Sequence, residues 1–222
     1  MVMACATGAV GAADAATSPE ALRAVILKAE LAQHSVHYVT VTSYVGGSMG
    51  GVRARDVADV ARDRGIQRWT VFSKSGKTGH LTILVVHSTA YVHGDAFGLQ
   101  WGGFGKVGSG FAGKWFSIPH NSPIYALVAR NITIGSFARG CVPRSHLSFV
   151  TGTVGGRTMR GLRGTAPDGG VVTTYVQESG RPLPVEGIEV EYGVQVGLGH
   201  VTLSDWNEPI HVEAPTHSVP MA

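Results

Sequence analysis

Cysteine and charged residues are scarce in this sequence. Only Cys5 and Cys141 occur among 222 residues, and they form neither a C-x-x-C pair nor a set of metal ligands. Charged residues make up 15% of the chain, and the formal net charge is only +3, whereas charged residues usually make up about a quarter of a chain. The basic residues are scattered apart from an interrupted arginine series over 53–68. A nucleic-acid binder is therefore not expected, since it would concentrate basic and stacking aromatic residues on one face.

Two other patterns are missing. No apolar run approaches the roughly twenty residues that a membrane-spanning helix requires. The ten histidines show no H-x-H or H-E-x-x-H spacing, so the sequence predicts neither a metal site nor a cofactor.

Glycine, in contrast, is abundant. The chain has 31 glycines, about twice the average share, and 44% of its residues are hydrophobic. Helical bundles avoid glycine, so this composition favours β-structure with many turns around a sizeable core. The length suits a single domain, which we place at residues 17–222.

The first sixteen residues, "MVMACATGAVGAADAA", are small, apolar and nearly uncharged. They resemble the end of an export signal, and "VMAC" resembles a bacterial lipobox whose cysteine, here Cys5, becomes acylated. The alternative is a flexible N-terminus that is not an export signal. The sequence leaves three fates open for Cys5, which are acylation, a disulfide bond with Cys141, and removal by cleavage.

The clearest helix in the sequence is "TSPEALRAVILKAELAQ" over 17–33, with Thr17 or Ser18 as the cap and Pro19 in the first turn. A strand follows over 36–45, and 52–65 fits either a helix or a strand. A hairpin over 66–87 and a strand over 89–95 come next. A second helix is predicted over 121–132, and about six further strands complete the chain.

Strands therefore do not alternate with long helices, as a parallel sheet would require. The predicted fold class is α+β, with a large curved antiparallel sheet whose concave face is covered by helices.

The residues Gly46 to Gly50 match the G-x-S-x-G pattern of the α/β-hydrolase nucleophile elbow, with Ser48 in the place of the nucleophile. Such an elbow needs a strand–turn–helix corner within a parallel sheet. Here hairpins follow a single preceding strand. The pattern therefore favours a hairpin tip in which glycine supplies positive φ angles.

Three stretches together carry a family resemblance: "SVHYVTVTSYVGG", "GKTGHLTILVVHSTAYVHGDAF" followed by "FAGKWFSIP", and "SGRPLPVEG" with "GHVTLSDWNEPIHVEAP". The chain resembles actinobacterial cell-envelope lipoproteins of the LppX/LprG type and, more broadly, the LolA-like carriers. The resemblance covers about 18–215. It implies a curved antiparallel sheet that encloses an apolar cavity with its helices, an exported protein, and a lipid partner.

The resemblance also implies which residues line the cavity. In the segment that matches the family's middle helices, the candidate ligand contacts are Phe97, Leu99, Trp101, Phe104, Val107, Phe111, Trp115 and Tyr125. The alternative is that these side chains only pack in the core. Cys5 matches the lipid-anchor position, which implies membrane attachment.

Three hypotheses follow. The first is a non-enzymatic, exported carrier that holds a lipid or other hydrophobic molecule, with the glycine-rich cover over 96–114 opening to admit it. The second is a structural or interaction module of the cell envelope with a filled core. The third is an esterase that uses Ser48.

Overall fold

The computed structural model describes residues 16–46, 50–105, 110–166, 169–177, 180–191 and 197–221. Its helices are α1 (Pro19–Leu31), α2 (Ala96–Trp101), α3 (Tyr125–Val128) and α4 (Ile134–Cys141). Its strands are β1 (Ser35–Tyr44), β2 (Arg53–Ala61), β3 (Arg64–Phe72), β4 (Thr78–Val86), β5 (Thr89–Gly94), β6 (Phe116–Pro119), β7 (Ser145–Val154), β8 (Arg157–Thr165), β9 (Val171–Val176), β10 (Pro184–Glu191), β11 (Gly197–Ser204) and β12 (Val219–Pro220).

All of these strands belong to one sheet, in the order β12-β6-β5-β4-β3-β2-β1-β11-β10-β9-β8-β7. Neighbouring strands are antiparallel except β12, which runs parallel to β6. The sheet is open, because its two edge strands β12 and β7 do not pair with each other. The predicted α+β half-barrel with an antiparallel sheet is confirmed.

A single pairing joins the two halves of the sheet. Strands β1 to β6 follow each other in space as in sequence, and so do β7 to β11. Strand β1 pairs with β11, so that His37 lies opposite Ser204 and Tyr44 opposite Gly197. We call the β1–β11 pairing the seam.

Helix α1 forms as its sequence predicts. The Ser18 side chain accepts a hydrogen bond from the Ala21 amide at 3.1 Å, and Pro19 occupies the first turn. Leu22 and Ile26, four residues apart, are fully buried against the end of the sheet that contains β8 and β9.

The ambiguous segment over 52–65 is a strand. In β2 Arg53 and Arg55 are exposed while Ala54 and Ala58 are buried, which is the alternation of a half-buried strand. The connection from β1 is a hairpin: the Tyr44 amide donates to the Val52 carbonyl at 2.9 Å. Gly51 has a φ of +85°, as a glycine turn requires.

The helix predicted over 121–132 is wrong in extent. Only Tyr125–Val128 is α-helical, and no side chain caps it. The sequence reasoning missed α4, which begins after Thr133. The Thr133 and Ser136 side chains form a capping box there, each accepting from the other residue's backbone amide.

Three apolar clusters cover the concave face from one end to the other. Helix α2 and the residues after it pack on β4 to β6, α4 packs on the centre around β1 and β2, and α1 packs on β8 and β9. Among the described residues, no helix combines the length and apolarity needed to cross a bilayer.

Candidate functional site

A cavity of about 190 Å³ lies on the concave face, between the centre of the sheet and the α3–α4 segment. Its walls come from β1, β2, β3, β9, β10 and β11 and from residues 130–141. The lining residues are Tyr38, Thr40, Thr42, Tyr44, Asp56, Gln67, Trp69, Arg130, Asn131, Phe137, Gly140, Cys141, Val172, Thr174, Pro184, Glu186, Gly187, Ile188, Val201 and Leu203.

Strand register explains why these side chains meet. Alternate residues of β1 point to the same face, and Thr40 lies opposite Asp56 of β2. Asp56 in turn lies opposite Trp69 of β3, while Thr40 faces Val201 across the seam. The cavity floor is therefore built around the middle of β1.

The α3–α4 segment is fixed to the sheet at several points. Phe137 stacks on Tyr38 with ring centroids 4.9 Å apart, and the Thr174 hydroxyl donates to the Cys141 carbonyl at 2.7 Å. At Gly65 an added Cβ would lie 2.1 Å from the Ile132 carbonyl oxygen. The glycine therefore lets the backbone of this segment lie directly on β3.

A buried hydrogen-bond network lies in the cavity wall. The Gln67 amide nitrogen donates to Asp56 Oδ2 at 2.6 Å and to the Tyr38 hydroxyl at 3.0 Å. The Tyr38 hydroxyl donates to the Asn131 carbonyl at 3.3 Å. The second oxygen, Asp56 Oδ1, is buried and has no hydrogen-bond partner among the described residues.

Burial sets the electrostatics of this network. Asp56 is only 2% exposed, and desolvation raises its pKa from 3.8 to about 7, against the opposing effect of its polar neighbours Gln67 and Tyr38. Burial, together with the Asp56 charge, also holds the pKa of Tyr38 well above its usual value. The Asp56 carboxyl is thus partly neutral at pH 7.

Two charged residues lie beside the cavity. Glu186 is one of its lining residues, but its carboxylate pairs with His200, with Oε1 and Nε2 3.2 Å apart, and His200 lies opposite Val41 on the outer face of the sheet. Arg130 is exposed and lines the cavity beside Asn131. The cavity therefore combines apolar walls with several hydrogen-bonding groups.

None of the described ligand contacts implied by the family resemblance lines this cavity. Leu99 and Phe104 are buried in the cluster on β4 to β6, and Phe111 and Tyr125 pack against that cluster. Trp115 packs its ring against that of His93, with centroids 5.1 Å apart.

Two of the remaining predicted contacts lie near the surface or the cavity. The Lys77 ammonium group lies 4.9 Å from the centre of the Phe97 ring. The Trp101 ring contacts that of Trp69, a residue of the cavity wall, with centroids 4.7 Å apart. Trp101 thus contacts a residue that lines the cavity but does not line the cavity itself. Val107 lies outside the described residues, and a ligand-binding role for this group stays a prediction.

Ser48 and Cys5 also lie outside the described residues, so acylation of Cys5 and its pairing with Cys141 stay predictions. The strands that flank Ser48 are the antiparallel pair β1 and β2. A nucleophile elbow instead leads from a strand into a helix within a parallel sheet.

The sequence reasoning missed Asp56 and Gln67, although a signal was present. If 52–65 is a strand, Ala54, Ala58 and Val60 share one face, and Asp56 has the same parity. A carboxyl group among apolar residues of one strand face is a sign of a polar site in the core.

Metal ligation finds no support in the part of the chain that is described, where no group of three or more His, Cys, Asp or Glu side chains could hold a metal ion. What the geometry offers is a partly polar cavity in the concavity of an open, curved antiparallel sheet. This architecture defines the class of the protein, a half-barrel sheet covered by helices.

Comparison with known proteins places the fold more closely. No protein-family model and no curated protein matches the chain. Among solved structures, the Mycobacterium tuberculosis lipoprotein LppX superposes with a TM-score of 0.50 at 18% identity, over 88% of this chain and 100% of LppX. This chain has an LppX-like fold, which confirms the resemblance seen in the sequence at the level of the fold.

Two further structures are similar at lower scores. An uncharacterized conserved protein from Thermus thermophilus matches with a TM-score of 0.45 at 6% identity, over 89% of this chain and 94% of that one. A LolA superfamily protein from Nitrosomonas europaea matches with a TM-score of 0.34 at 10% identity, over 86% of this chain and 94% of that one.

Proposed function

We propose that this protein is an exported, non-enzymatic carrier that binds a lipid or other hydrophobic molecule in the cavity between the sheet and the α3–α4 segment. The observation that carries the proposal is that cavity, found at the centre of an LppX-like half-barrel. The lipoprotein character of LppX supports an envelope location, and the "VMAC" sequence supports attachment to the membrane through Cys5.

The cavity walls suit an amphiphilic ligand. Trp69, Val201 and Leu203 provide apolar surface, and each methylene buried there contributes roughly 0.8 kcal/mol. At about 190 Å³ the cavity is smaller than the usual drug-sized pocket. It therefore suits a single short chain or part of a longer one.

The mechanism is reversible sequestration, which needs no reacting group. The ligand leaves water for the cavity, and its release reverses that transfer. Opening of the cover over 96–114 remains a hypothesis. A second route for the ligand is movement of the α3–α4 segment, which forms the helical wall of the cavity itself.

The experiment that tests the proposal is organic extraction of the purified protein, followed by mass spectrometry of the extract. Gly187 offers a way to block the cavity, because an added Cβ would meet only Thr173 O and Val201 Cβ, both at 3.7 Å. Gly187→Phe would therefore place a ring in the cavity. Val41→Phe is the matched control, since Val41 is 47% exposed on the other face of β1.

A stoichiometric lipid or fatty acid in the wild type and in Val41→Phe, and its loss in Gly187→Phe, is the expected result. A clean extract from all three proteins, also after incubation with envelope lipids, would contradict the carrier. It would favour the interaction module of the cell envelope instead.

A further inference from the structure

The cavity wall contains a carboxyl oxygen that the protein itself leaves unsatisfied. Asp56 lines the cavity and is 2% exposed, and its Oδ1 has no hydrogen-bond partner among the residues that the structure describes. A buried polar atom without a partner is costly, so such an atom in a native cavity calls for an explanation.

Neither of the two side chains that hold Asp56 satisfies Oδ1. A primary amide has two N–H groups, and Gln67 uses its nitrogen for both Asp56 Oδ2 and the Tyr38 hydroxyl. The Tyr38 hydroxyl has one proton, and it contacts both the Asn131 carbonyl at 3.3 Å and the Asp56 carboxyl group without satisfying Oδ1. Asp56 Oδ1 is therefore open to a hydrogen bond from a molecule in the cavity.

We infer that Asp56, held by Gln67 and Tyr38, forms a headgroup subsite that selects an amphiphile with a neutral hydroxyl head. This inference rests on the proposed carrier function and adds the chemical class of the ligand. The tail of the amphiphile would lie along Trp69, Val201 and Leu203, which share the cavity with Asp56.

The chemistry of the head follows from the carboxyl group. A hydroxyl both donates and accepts, so it satisfies Asp56 whether that group is ionised or protonated. An ether oxygen accepts only and leaves an ionised carboxylate unsatisfied. A carboxylate head would add a like charge next to Asp56, and an ammonium head would be matched only by the ionised form.

The test is competition against a fluorescent apolar probe, Nile red, by four amphiphiles with the same alkyl chain: decanol, decyl methyl ether, decanoate and decylamine. Decanol is expected to displace the probe at the lowest concentration. Its advantage over the methyl ether should be on the order of tenfold, the effect of one hydrogen bond to a buried carboxyl group.

Asp56→Asn sharpens the test. Its amide oxygen can replace Oδ2 as the acceptor for Gln67, which places an N–H where Oδ1 was. The methyl ether then finds a donor, so the preference for decanol should disappear. Asp59→Asn is the control, because Asp59 lies on the other face of the same strand, paired with His37 at 2.7 Å; it should keep the preference.

The outcomes separate the two proposals. Equal displacement by all four compounds, together with loss of probe binding in Gly187→Phe, would overturn the headgroup inference and leave the carrier intact. Strongest displacement by decanoate or decylamine would also overturn it. Failure of Nile red and of every amphiphile to bind would instead count against the carrier. If Asp56→Asn does not fold by circular dichroism, the ligand series on the wild type decides.

Discussion

A carboxyl group that is buried without an ion pair favours its neutral form. Asp56 shows this effect, with a pKa of about 7. Glu30 of α1 shows it too: it is fully buried, both of its oxygens lack partners within the described ranges, and burial holds its pKa well above the usual value. Such groups link folding stability to pH.

The Asp56→Asn variant should change how stability depends on pH. Below pH 3.8 Asp56 is protonated in both the folded and the unfolded chain. Between pH 3.8 and about 7 only the folded chain holds the proton, so this contribution to stability falls as pH rises. Asparagine stays neutral and avoids that loss, so the variant should gain roughly 4 kcal/mol relative to the wild type between pH 4 and pH 8.

Urea unfolding at both pH values measures this difference, and the Glu30 contribution cancels because both proteins share it. Glu213→Gln serves as a control at an exposed position and should follow the wild type. A stability difference between Asp56→Asn and the wild type that does not change with pH would show that folding does not raise the pKa of Asp56.

For single residues, the sequence indicates which face of a strand a side chain lies on better than it indicates which side chain it bonds to. The strand alternative for 52–65 puts Ala54 and Ala58 on one face, and both are buried. Asp56 shares that face, but only the pairing of β2 with β3 shows that Gln67 lies close enough to donate to it. That pairing depends on strand register, which a single strand pattern does not contain.

Helices α2 and α4 each contain a glycine, but only the glycine of α2 is needed for close packing. In α2, Asp95 caps the helix through Gly98 N at 2.8 Å and accepts from His80 N at 2.7 Å, which joins α2 to β4. A Cβ at Gly98 would lie 2.1 Å from the His80 carbonyl oxygen. In α4, a Cβ at Gly135 would meet only the flexible end of Arg139, at 3.3 Å.

Alanine substitutions at these two glycines should therefore differ in sign. Alanine normally stabilises a helix by up to about 1 kcal/mol relative to glycine, and Gly135→Ala should show this gain. Gly98→Ala forces α2 away from the β4 backbone and should destabilise the fold by about 2 kcal/mol or more. Thermal or urea unfolding of both variants against the wild type provides the comparison; equal effects would mean that α2 can shift without cost.

The sequence did not predict α4, because its glycines weaken the helical pattern and its contacts with the sheet stabilise it. The sequence made α1 clear, because its cap and apolar spacing lie within one segment. It obscured α4, whose Gly135 and Gly140 weaken the helical pattern, although Phe137 and Ala138 are buried on the sheet. Burial against the sheet outweighs propensity there.

The molecule as a whole is two runs of neighbouring strands joined along the seam. The strand patterns predicted an antiparallel sheet, because no long helices alternate with the strands. They did not predict that β1 pairs with β11, since nothing in the pattern of β1 identifies a partner so distant in sequence.

Two fragments, 1–121 and 122–222, should assemble into the folded protein when produced together. The first contains β1 to β6 and the second contains α3, α4 and β7 to β12. The interface then consists of the seam, the β12–β6 pairing, the packing of α1 on β8 and β9, and the contacts of α4 with the first half. Size-exclusion chromatography and circular dichroism of the mixture should show a one-to-one complex with native secondary structure. If fragment 1–121 alone were as stable as the complex of the two fragments, this role of the seam would be contradicted.

The seam also has a consequence for synthesis in the cell. As the chain leaves the ribosome, β1 finds its neighbour β2 within a few residues, but its other edge stays unpaired until β11 has been made. For most of translation the protein thus exposes a ten-residue strand edge, from Ser35 to Tyr44. An open edge of this kind recruits other strands, so a nascent chain that stalls before residue 197 is a candidate for chaperone binding or aggregation.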